Sequence, residues 1–315
     1  MQYNHFKQRF SVLLLLLATI TNAHAQNNRQ ELFDTSLYKI IKVRPSIADA
    51  TVTYWDTAHV AFYDPKIRNN KLLLWLTGTN GTTNNLPAGF LHTALEQGYK
   101  VIALSFISVP AVSQVCIGNN LDVNSNCAAD FRRRRIYGDN NFSLIADKPQ
   151  DAIIPRLVML LKYLIKNDAG GNWAAYLDPK TLKPVWKMIA IAGQSQGGGM
   201  AQFIAQHENI ARVISFSGGW DYSNSKDKKI AGWYLDKNIT PMENWYATYN
   251  INESAAASLK EICSALTIPS GHIFALDKPL FNPANSSGSP NPYHGDGIRN
   301  PVYKSIWVTM LGSGL

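Results

Sequence analysis

The sequence predicts an α/β fold with a mostly parallel central sheet flanked by helices. Short apolar runs alternate with segments of helical periodicity along the chain, and this alternation is typical of βα units. The chain has 315 residues, of which 46% are hydrophobic and 17% are charged, so it is long and apolar enough to bury the core of one large domain. No repeat and no linker interrupts the pattern. We therefore expect one domain over residues 26–315.

The sequence predicts six strands and five helices. The first strand is Lys71–Leu76, a short apolar run that ends in a turn rich in Gly, Thr and Asn. The clearest helix is Ala152–Ile165, which has apolar residues at helical spacing and Pro155 in the first turn, where proline is tolerated. The other predicted strands are Lys100–Phe106, Trp186–Ala192, Arg212–Phe216, Trp245–Ile251 and His272–Leu276. The other predicted helices are Leu86–Gln97, Gly198–His207, Ser254–Leu266 and Val302–Leu311.

The first 25 residues have the pattern of a secretory signal peptide. Lys7 and Arg9 precede the apolar run Val12–Ile20, and Ala23 and Ala25 form a small-x-small cleavage pattern. The apolar run is well short of the roughly 20 residues that a membrane-spanning helix needs. We expect cleavage near Ala25, no membrane span, and a secreted or periplasmic protein.

The charge balance is mildly basic. The formal charge is +8, and removal of Lys7 and Arg9 with the signal leaves +6. The one dense basic run is Arg132–Arg135, which we interpret as a solvated turn or helix start, with a polyanion patch as the alternative. A nucleic-acid-binding protein concentrates its basic residues on one face or arm, so we expect no nucleic-acid partner.

The expected state of the three cysteines depends on whether the protein is exported. Export implies an oxidising environment, in which Cys116 and Cys127 of a polar, Asn-rich loop are predicted to form a local disulfide. Two free thiols in that loop are the alternative. Cys263 lies on the apolar face of the predicted helix Ser254–Leu266, and we expect it to be buried.

Ser195 lies in a sequence motif that is typical of catalytic serines. Gly193-Gln194-Ser195-Gln196-Gly197 directly follows a predicted strand and leads into a predicted helix, which is the context of the G-x-S-x-G nucleophile elbow. The serine of such an elbow sits on a turn so sharp that side chains two residues before and after it would collide. Gly193 and Gly197 avoid that collision. We interpret Ser195 as a nucleophile, with an ordinary glycine-rich turn as the alternative.

A nucleophilic serine needs an oxyanion hole and a general base. In this architecture one oxyanion donor is the backbone N–H of the residue after the serine, here Gln196, and the other lies in a loop after an earlier strand. We expect Thr79 to be the second donor, although its loop could be a plain glycine turn. Of the histidines after Ser195, His294 lies in a loop beyond the last predicted strand, where the general base of this fold enters. His207 and His272 lie within or beside predicted elements instead.

The triad acid is assigned by topology. It is expected in the loop after the strand that precedes the His-bearing strand, and Glu253 is the carboxylate there. Glutamate in the first turn of a helix is also favoured by the helix dipole, so Glu253 has a purely structural alternative. Asp277, after the final strand, and Asp221, in the SGGWD segment, are the other candidates.

About three quarters of the chain, from Leu72 onward, resembles a family of secreted bacterial α/β-hydrolases. The matching segments include LLLWLTGTNG, GYKVIALSF, IIPRLVMLLKYL, VWKMIAIAGQSQGGG, RVISFSGGWD and a final HG loop. The resemblance implies an α/β-hydrolase fold and a Ser-acid-His triad carried by Ser195 and His294. The chain differs at Gln194 and Met200, where members usually have histidines. Neither is a triad position, so the difference bears on substrate preference.

These observations predict a secreted serine hydrolase that acts on the ester bond of a small-molecule or polymer substrate. An exported, non-catalytic hydrolase-fold protein that binds a glycan or a protein partner is the alternative. We expect no metal, because no H-x-x-x-H or C-x-x-C occurs and the loop that begins at Asp122 has Cys127 and Arg133 at key positions of a calcium loop. We expect no nucleotide cofactor, because the glycine-rich turn after the first strand lacks both phosphate-binding signatures.

Overall fold

The structure is a computed structural model that describes residues 34–67, 69–139, 141–283 and 290–312. The chain divides into two compact units, residues 1–38 and 39–315. In the first unit, the described residues form a turn in which the Ser36 N–H donates to Asp34 Oδ1. The second unit carries the sheet. The predicted signal peptide and its cleavage site lie outside the described residues, and the domain start at residue 26 stays a prediction.

An eight-stranded, mostly parallel sheet forms the centre of the second unit. The strands are β1 Lys39–Val43, β2 His59–Tyr63, β3 Leu72–Leu76, β4 Lys100–Ala103, β5 Ile189–Gln194, β6 Arg212–Phe216, β7 Trp245–Asn250 and β8 Ile273–Leu276. Their spatial order is β1-β2-β4-β3-β5-β6-β7-β8, and β2 is antiparallel to both of its neighbours while β3 to β8 pair in parallel. This arrangement confirms the predicted fold class, the α/β-hydrolase fold.

Helices cover the sheet. Those in the described part of the chain are α1 Pro45–Ala48, α2 Ala88–Glu96, α3 Val112–Val115, α4 Gly118–Val123, α5 Cys127–Tyr137, α6 Ile153–Asn167, α7 Gln196–His207, α8 Ala256–Ala265 and α9 Lys304–Leu311. Helix α7 packs on β5 and β6, α2 packs against α9, and α5 packs against α6. Helix α6 buries the apolar stripe that its periodicity predicted, including Leu157, Leu161 and Leu164.

None of the helices in the described ranges combines the length and apolar character that crossing a membrane requires.

Several strands begin or end at other residues than predicted, and some elements were not predicted. Strand β4 ends at Ala103 rather than Phe106, because its pairing with β2 covers only residues 101–103. Residues Trp186–Met188 form a 3₁₀ turn, and β5 begins at Ile189 and continues to Gln194. The antiparallel strands β1 and β2 were not predicted, because both precede the first predicted element, Lys71–Leu76. Helix α5 was not predicted as an element either.

The interpretation of Arg132–Arg135 as a solvated segment is wrong for two of its members. Arg132 and Arg135 are each about 1% exposed. Arg132 forms a two-pronged ion pair with Asp221, with N–O distances of 2.6 and 2.8 Å, and Arg135 pairs with Asp147 at 2.7 and 3.0 Å. Residues three apart in a helix lie on the same face, so α5 buries both guanidinium groups on one side.

The predicted disulfide is present. Cys116 and Cys127 are bonded, and their Cα atoms lie 5.6 Å apart. The bond joins the end of α3 to the start of α5 and closes the segment that contains α4. Cys263 is a buried free cysteine in α8, as expected. Burial raises the pKa of the Cys263 thiol to about 12, so this side chain behaves as a small apolar group.

Candidate active site

Ser195 occupies the sharp turn between β5 and α7. Its backbone angles are φ 56° and ψ −123°, a conformation that non-glycine residues seldom adopt. The turn is held on both sides, because the Ser195 N–H donates to the Phe216 carbonyl and the Ser195 carbonyl accepts from Gly199 and Gly219. The surrounding backbone thus maintains a strained geometry at the residue whose side chain was predicted to react.

The two elbow glycines occupy positions with no room for a side chain. A Cβ on Gly193 would overlap the backbone of Gly197, and a Cβ on Gly197 would overlap the backbone of Leu76 at the end of β3. Gly78 is similarly confined, because a Cβ there would lie 3.2 Å from the Ser195 Cβ. These close approaches bring the turn after β3 directly against the elbow.

The two predicted oxyanion donors lie in one small cavity with the serine. Thr79, Ser195 and Gln196 all line this cavity, whose volume is about 60 Å³. Gln196 is the first residue of α7, where backbone N–H groups have no partner within the helix. Within the described residues, the Thr79 N–H makes no hydrogen bond either. Both N–H groups are therefore available to a ligand oxygen.

The Gln196 side chain has a separate structural role. It is buried, its Nε2 donates to the Ser108 carbonyl at 2.8 Å, and its Oε1 accepts from the Val112 N–H at 3.1 Å. These bonds attach the segment 108–112 to the N-terminus of α7. Ala111 and Val112, which line the small cavity, are therefore held in place by the side chain of the same residue whose backbone N–H is the predicted donor.

His294 and Glu253 are brought into direct contact. The distance from His294 Nδ1 to Glu253 Oε2 is 2.7 Å, and the Glu253 side chain is fully buried. The other carboxylate oxygen, Oε1, accepts from Ser217 Oγ at 2.7 Å and from the Asn250 N–H at 2.8 Å. Because a carboxylate only accepts, the proton of the neutral imidazole lies on Nδ1. The opposite nitrogen, Nε2, is then an available base.

The sheet explains why these two residues meet. Glu253 follows β7, and His294 follows β8 in a 3₁₀ segment that spans Pro292–Ile298. The two strands are parallel neighbours, so their carboxyl ends, and the loops that leave them, lie at the same edge of the sheet as the elbow after β5. Gln194, the last residue of β5, links the elbow to the His294 loop, because its Nε2 donates to the His294 carbonyl at 3.2 Å.

Ser195 Oγ and His294 lie in adjoining regions, although no hydrogen bond joins their side chains among the described residues. Trp220 connects the two regions. Its ring meets the His294 ring edge-on at a centroid distance of 5.1 Å, and the same residue lines the small cavity with Ser195. Hydrogen bonds between a nucleophile and its base are often long in unliganded enzymes and shorten in the substrate complex.

The other candidate residues are engaged elsewhere. The Asp221 carboxylate is occupied by Arg132 and by Trp233 Nε1, and Asp277 is an exposed residue that pairs with Lys278. Burial lowers the pKa of Arg132, but the Asp221 carboxylate and Tyr234 together raise it by more, so the pKa of Arg132 lies above its usual value. Of the three carboxylates considered, Glu253 is the one in contact with His294.

The other two histidines after the elbow contact backbone carbonyl groups away from Ser195. His207 Nδ1 lies 2.8 Å from the Phe203 carbonyl, one turn earlier in α7. His272 Nδ1 lies 3.0 Å from the Trp245 carbonyl, and its ring stacks on Tyr246. His272 belongs to a 3₁₀ turn just before β8 rather than to the predicted strand itself.

Three residues around His294 were missed by the sequence analysis. Ser217 and Asn250 hold the Glu253 carboxylate, and Trp220 packs on the imidazole. Ser217 and Trp220 lie in the SGGWD segment that directly follows β6, so their place after a parallel strand was the signal that could have indicated them. In the ranges that the structure describes, no group of three or more His, Cys, Asp or Glu side chains could hold a metal ion.

No family model and no curated protein matches the sequence. Solved structures to which the chain is similar include an α/β hydrolase from a Medee basin deep-sea metagenome library, with 13% identity, coverage of 87% of this chain and 98% of that chain, and a TM-score of 0.45. Esterase B from Lactobacillus rhamnosis, inhibited by a tributyrin phosphonate, has 12% identity over 98% and 97% of the two chains and a TM-score of 0.48. S-formylglutathione hydrolase from Staphylococcus aureus has 14% identity over 87% and 97%, with a TM-score of 0.45. These likenesses concern the fold alone.

Proposed function

We propose that the protein is a secreted serine hydrolase that cleaves carboxylic esters through an acyl-enzyme on Ser195. The observation that carries this proposal is the contact between Glu253 and His294 beside the strained elbow. A buried carboxylate that fixes the histidine tautomer, next to a serine at the N-terminus of a helix, is the arrangement that activates a serine hydroxyl.

The reaction proceeds in two steps in this geometry. His294 Nε2 takes the proton of Ser195 Oγ while that oxygen bonds to the ester carbonyl carbon, and the negative carbonyl oxygen accepts from the N–H groups of Thr79 and Gln196. The carbon–oxygen bond to the alcohol then breaks, and the alcohol leaves with the proton from His294. In the second step, water gives a proton to His294 and attacks the acyl-enzyme, which releases the carboxylic acid and restores Ser195.

The proposed secretion has independent support from the Cys116–Cys127 bond. Disulfides persist in oxidising compartments and are rare in the cytosol of mesophiles. A protein expressed with its own first 25 residues in a bacterium with a periplasm should be recovered outside the cytoplasm. Its mature N-terminus, read by mass spectrometry, should begin near residue 26.

Replacement of the serine tests the activity directly. Ser195→Ala should reduce the rate of ester hydrolysis by roughly 10⁶-fold, because the members of a triad act as a unit and its nucleophile has no substitute. Hydrolysis of p-nitrophenyl esters and labelling by a fluorophosphonate probe are the measurements, with circular dichroism to confirm folding. Wild-type protein should be labelled at Ser195, and equal hydrolysis rates in the two proteins would refute the proposal.

A further inference from the structure

An apolar pocket adjoins the small cavity that contains Ser195. The pocket lies between the disulfide-closed segment and the residues that follow β6, and its volume is about 300 Å³. Its lining includes Val112, Cys116, Ile117, Leu121, Trp220 and Tyr222. Four residues line both the pocket and the small cavity, namely Val112, Ser113, Trp220 and Asp221. The two spaces therefore lie next to each other.

The His294 side of the site is different. A larger cavity, of about 800 Å³, is lined by residues that include Gln194, His294, Phe281 and Arg299. Neither Ser195 nor the two oxyanion donors line this cavity, and His294 does not line the apolar pocket. The larger cavity thus reaches the proposed site on the side of His294, and the apolar pocket reaches it on the side of the oxyanion donors.

The chemistry of acyl transfer indicates which part of an ester substrate binds on each side of Ser195. The alcohol must leave next to His294, because that residue protonates the departing oxygen. The acyl group stays bonded to Ser195 with its carbonyl oxygen on the N–H groups of Thr79 and Gln196, so its chain extends from the small cavity. The apolar pocket adjoins the small cavity on that side and shares four lining residues with it.

Resting on the proposed function, we propose that this pocket binds the acyl chain and that the substrates are esters of apolar acids of short to medium length. The pocket volume lies at the lower end of the range for ligand pockets. Cys116 lines the pocket, and its bond to Cys127 restrains that wall. Each methylene that enters the pocket should raise kcat/KM by about fourfold. The rise should stop when the pocket is full, so that a palmitate ester is a poorer substrate than an octanoate ester.

Ser113 offers a position from which to fill the pocket without disturbing the core. It is exposed in α3, it lines both spaces, and its hydroxyl makes no hydrogen bond within the described residues. Ser113→Phe should lower kcat/KM for p-nitrophenyl octanoate by about tenfold or more relative to p-nitrophenyl acetate, because the ring occupies the space of several methylenes. Ser113→Leu should give a smaller change in the same direction.

Two further variants serve as controls. Ser264→Phe places the same ring on an exposed position of α8 that lines none of these spaces, and it should keep the wild-type dependence on acyl length. Phe281→Ala widens the larger cavity and should also leave the acyl-length dependence unchanged, while it changes the relative rates for a series of acetate esters with different alcohols. Rates are normalised to the active serine titrated with a fluorophosphonate probe.

The outcomes separate the two proposals. If wild-type protein neither reacts with the probe nor hydrolyses any ester, the proposed function itself is wrong. If it hydrolyses esters and Ser113→Phe keeps the wild-type acyl-length profile, the function stands and the pocket assignment is wrong. If Phe281→Ala rather than Ser113→Phe shifts the profile, the acyl chain binds on the His294 side. A profile that shortens in Ser113→Phe alone supports the assignment.

Discussion

The Glu253 carboxylate has a hydrogen-bond partner for each of its oxygens, which the proposed triad role requires and a helix-capping role does not. A glutamate that merely favours the first turn of a helix would remain near solvent, whereas Glu253 is buried and directed at His294. Its exit loop after β7 was the expected place for the triad acid. The geometry therefore supports the topological argument without relying on the helix dipole.

Replacement of this carboxylate tests its role. Glu253→Gln should lower the esterase rate by about 10⁴-fold without unfolding the protein, because the neutral amide no longer fixes the His294 tautomer or stabilises the imidazolium. Asp277→Asn should keep nearly full activity, since its exposed side chain pairs only with Lys278 among the described residues. Steady-state rates of the two variants, with thermal unfolding as the folding check, are the measurement. Nearly full activity in Glu253→Gln would contradict the assignment.

The arginine run shows why some residues escaped prediction. Four adjacent arginines have the composition of a solvated surface, and the sequence does not reveal that Asp221 and Asp147, 89 and 12 residues away along the chain, reach two of them. The buried pairing depends on tertiary contacts across the molecule. The serine elbow was predictable because its signal is local: a strand, two glycines and a helix in direct succession.

The same distinction holds for whole elements. The parallel strands β3 to β8 were all predicted, because each is a short run rich in apolar or aromatic residues and bounded by turns or loops. Strand β1 lies at the edge of the sheet and four of its five residues are exposed or only partly buried, so its sequence carries a weaker signal. Helix α5 was missed because its buried face is made partly of arginines rather than of an apolar stripe.

The disulfide is an element-scale device that constrains α3, α4 and the start of α5. Its cysteines are 11 residues apart, and closing a loop of this size should stabilise the fold by about 2 to 3 kcal/mol, mainly by restricting the unfolded chain. The Cys116→Ser/Cys127→Ser double variant should lose this amount in urea unfolding, and it should be insensitive to reductant. Wild-type protein should lose a similar amount when reduced. Equal stability of oxidised and reduced wild-type protein would contradict the expectation.

At the scale of the whole molecule, the sheet brings residues that are far apart in the sequence to one edge, where the proposed site lies. The serine, the acid and the histidine follow β5, β7 and β8, which are parallel and end at one edge. The elbow motif, the chain order and the predicted succession of strands were the grounds on which these residues were proposed. The pocket walls were not predictable, since they come from α3, α4 and the segment after β6, whose approach depends on how the disulfide segment packs.

Stability of the whole fold should depend on a histidine remote from the proposed chemistry. His59 is buried in β2, and its Nδ1 accepts from the Ser105 N–H at 2.9 Å, so the ring must be neutral there. Burial, reinforced by the nearby Arg156 charge, lowers the pKa of His59 from 6.5 to about 3. In the unfolded chain the same group binds a proton near pH 6.5. Folding therefore expels a proton below that pH, and the native state loses stability as the pH falls from about 6.5 toward 3.

The loss due to His59 should reach about 3 kcal/mol at about pH 4.5, two pH units below its unfolded pKa. Acidic side chains also contribute to acid sensitivity, so wild-type protein is compared with His59→Asn, whose side chain keeps a hydrogen-bond acceptor but does not titrate. The measurement is urea unfolding of both proteins at about pH 7 and about pH 4.5. The variant should lose about 3 kcal/mol less than wild type between the two pH values. His92→Asn, at a side chain that is 44% exposed, is the matched control and should follow wild type. Parallel losses in wild type and His59→Asn would show that His59 is not the origin of the acid sensitivity.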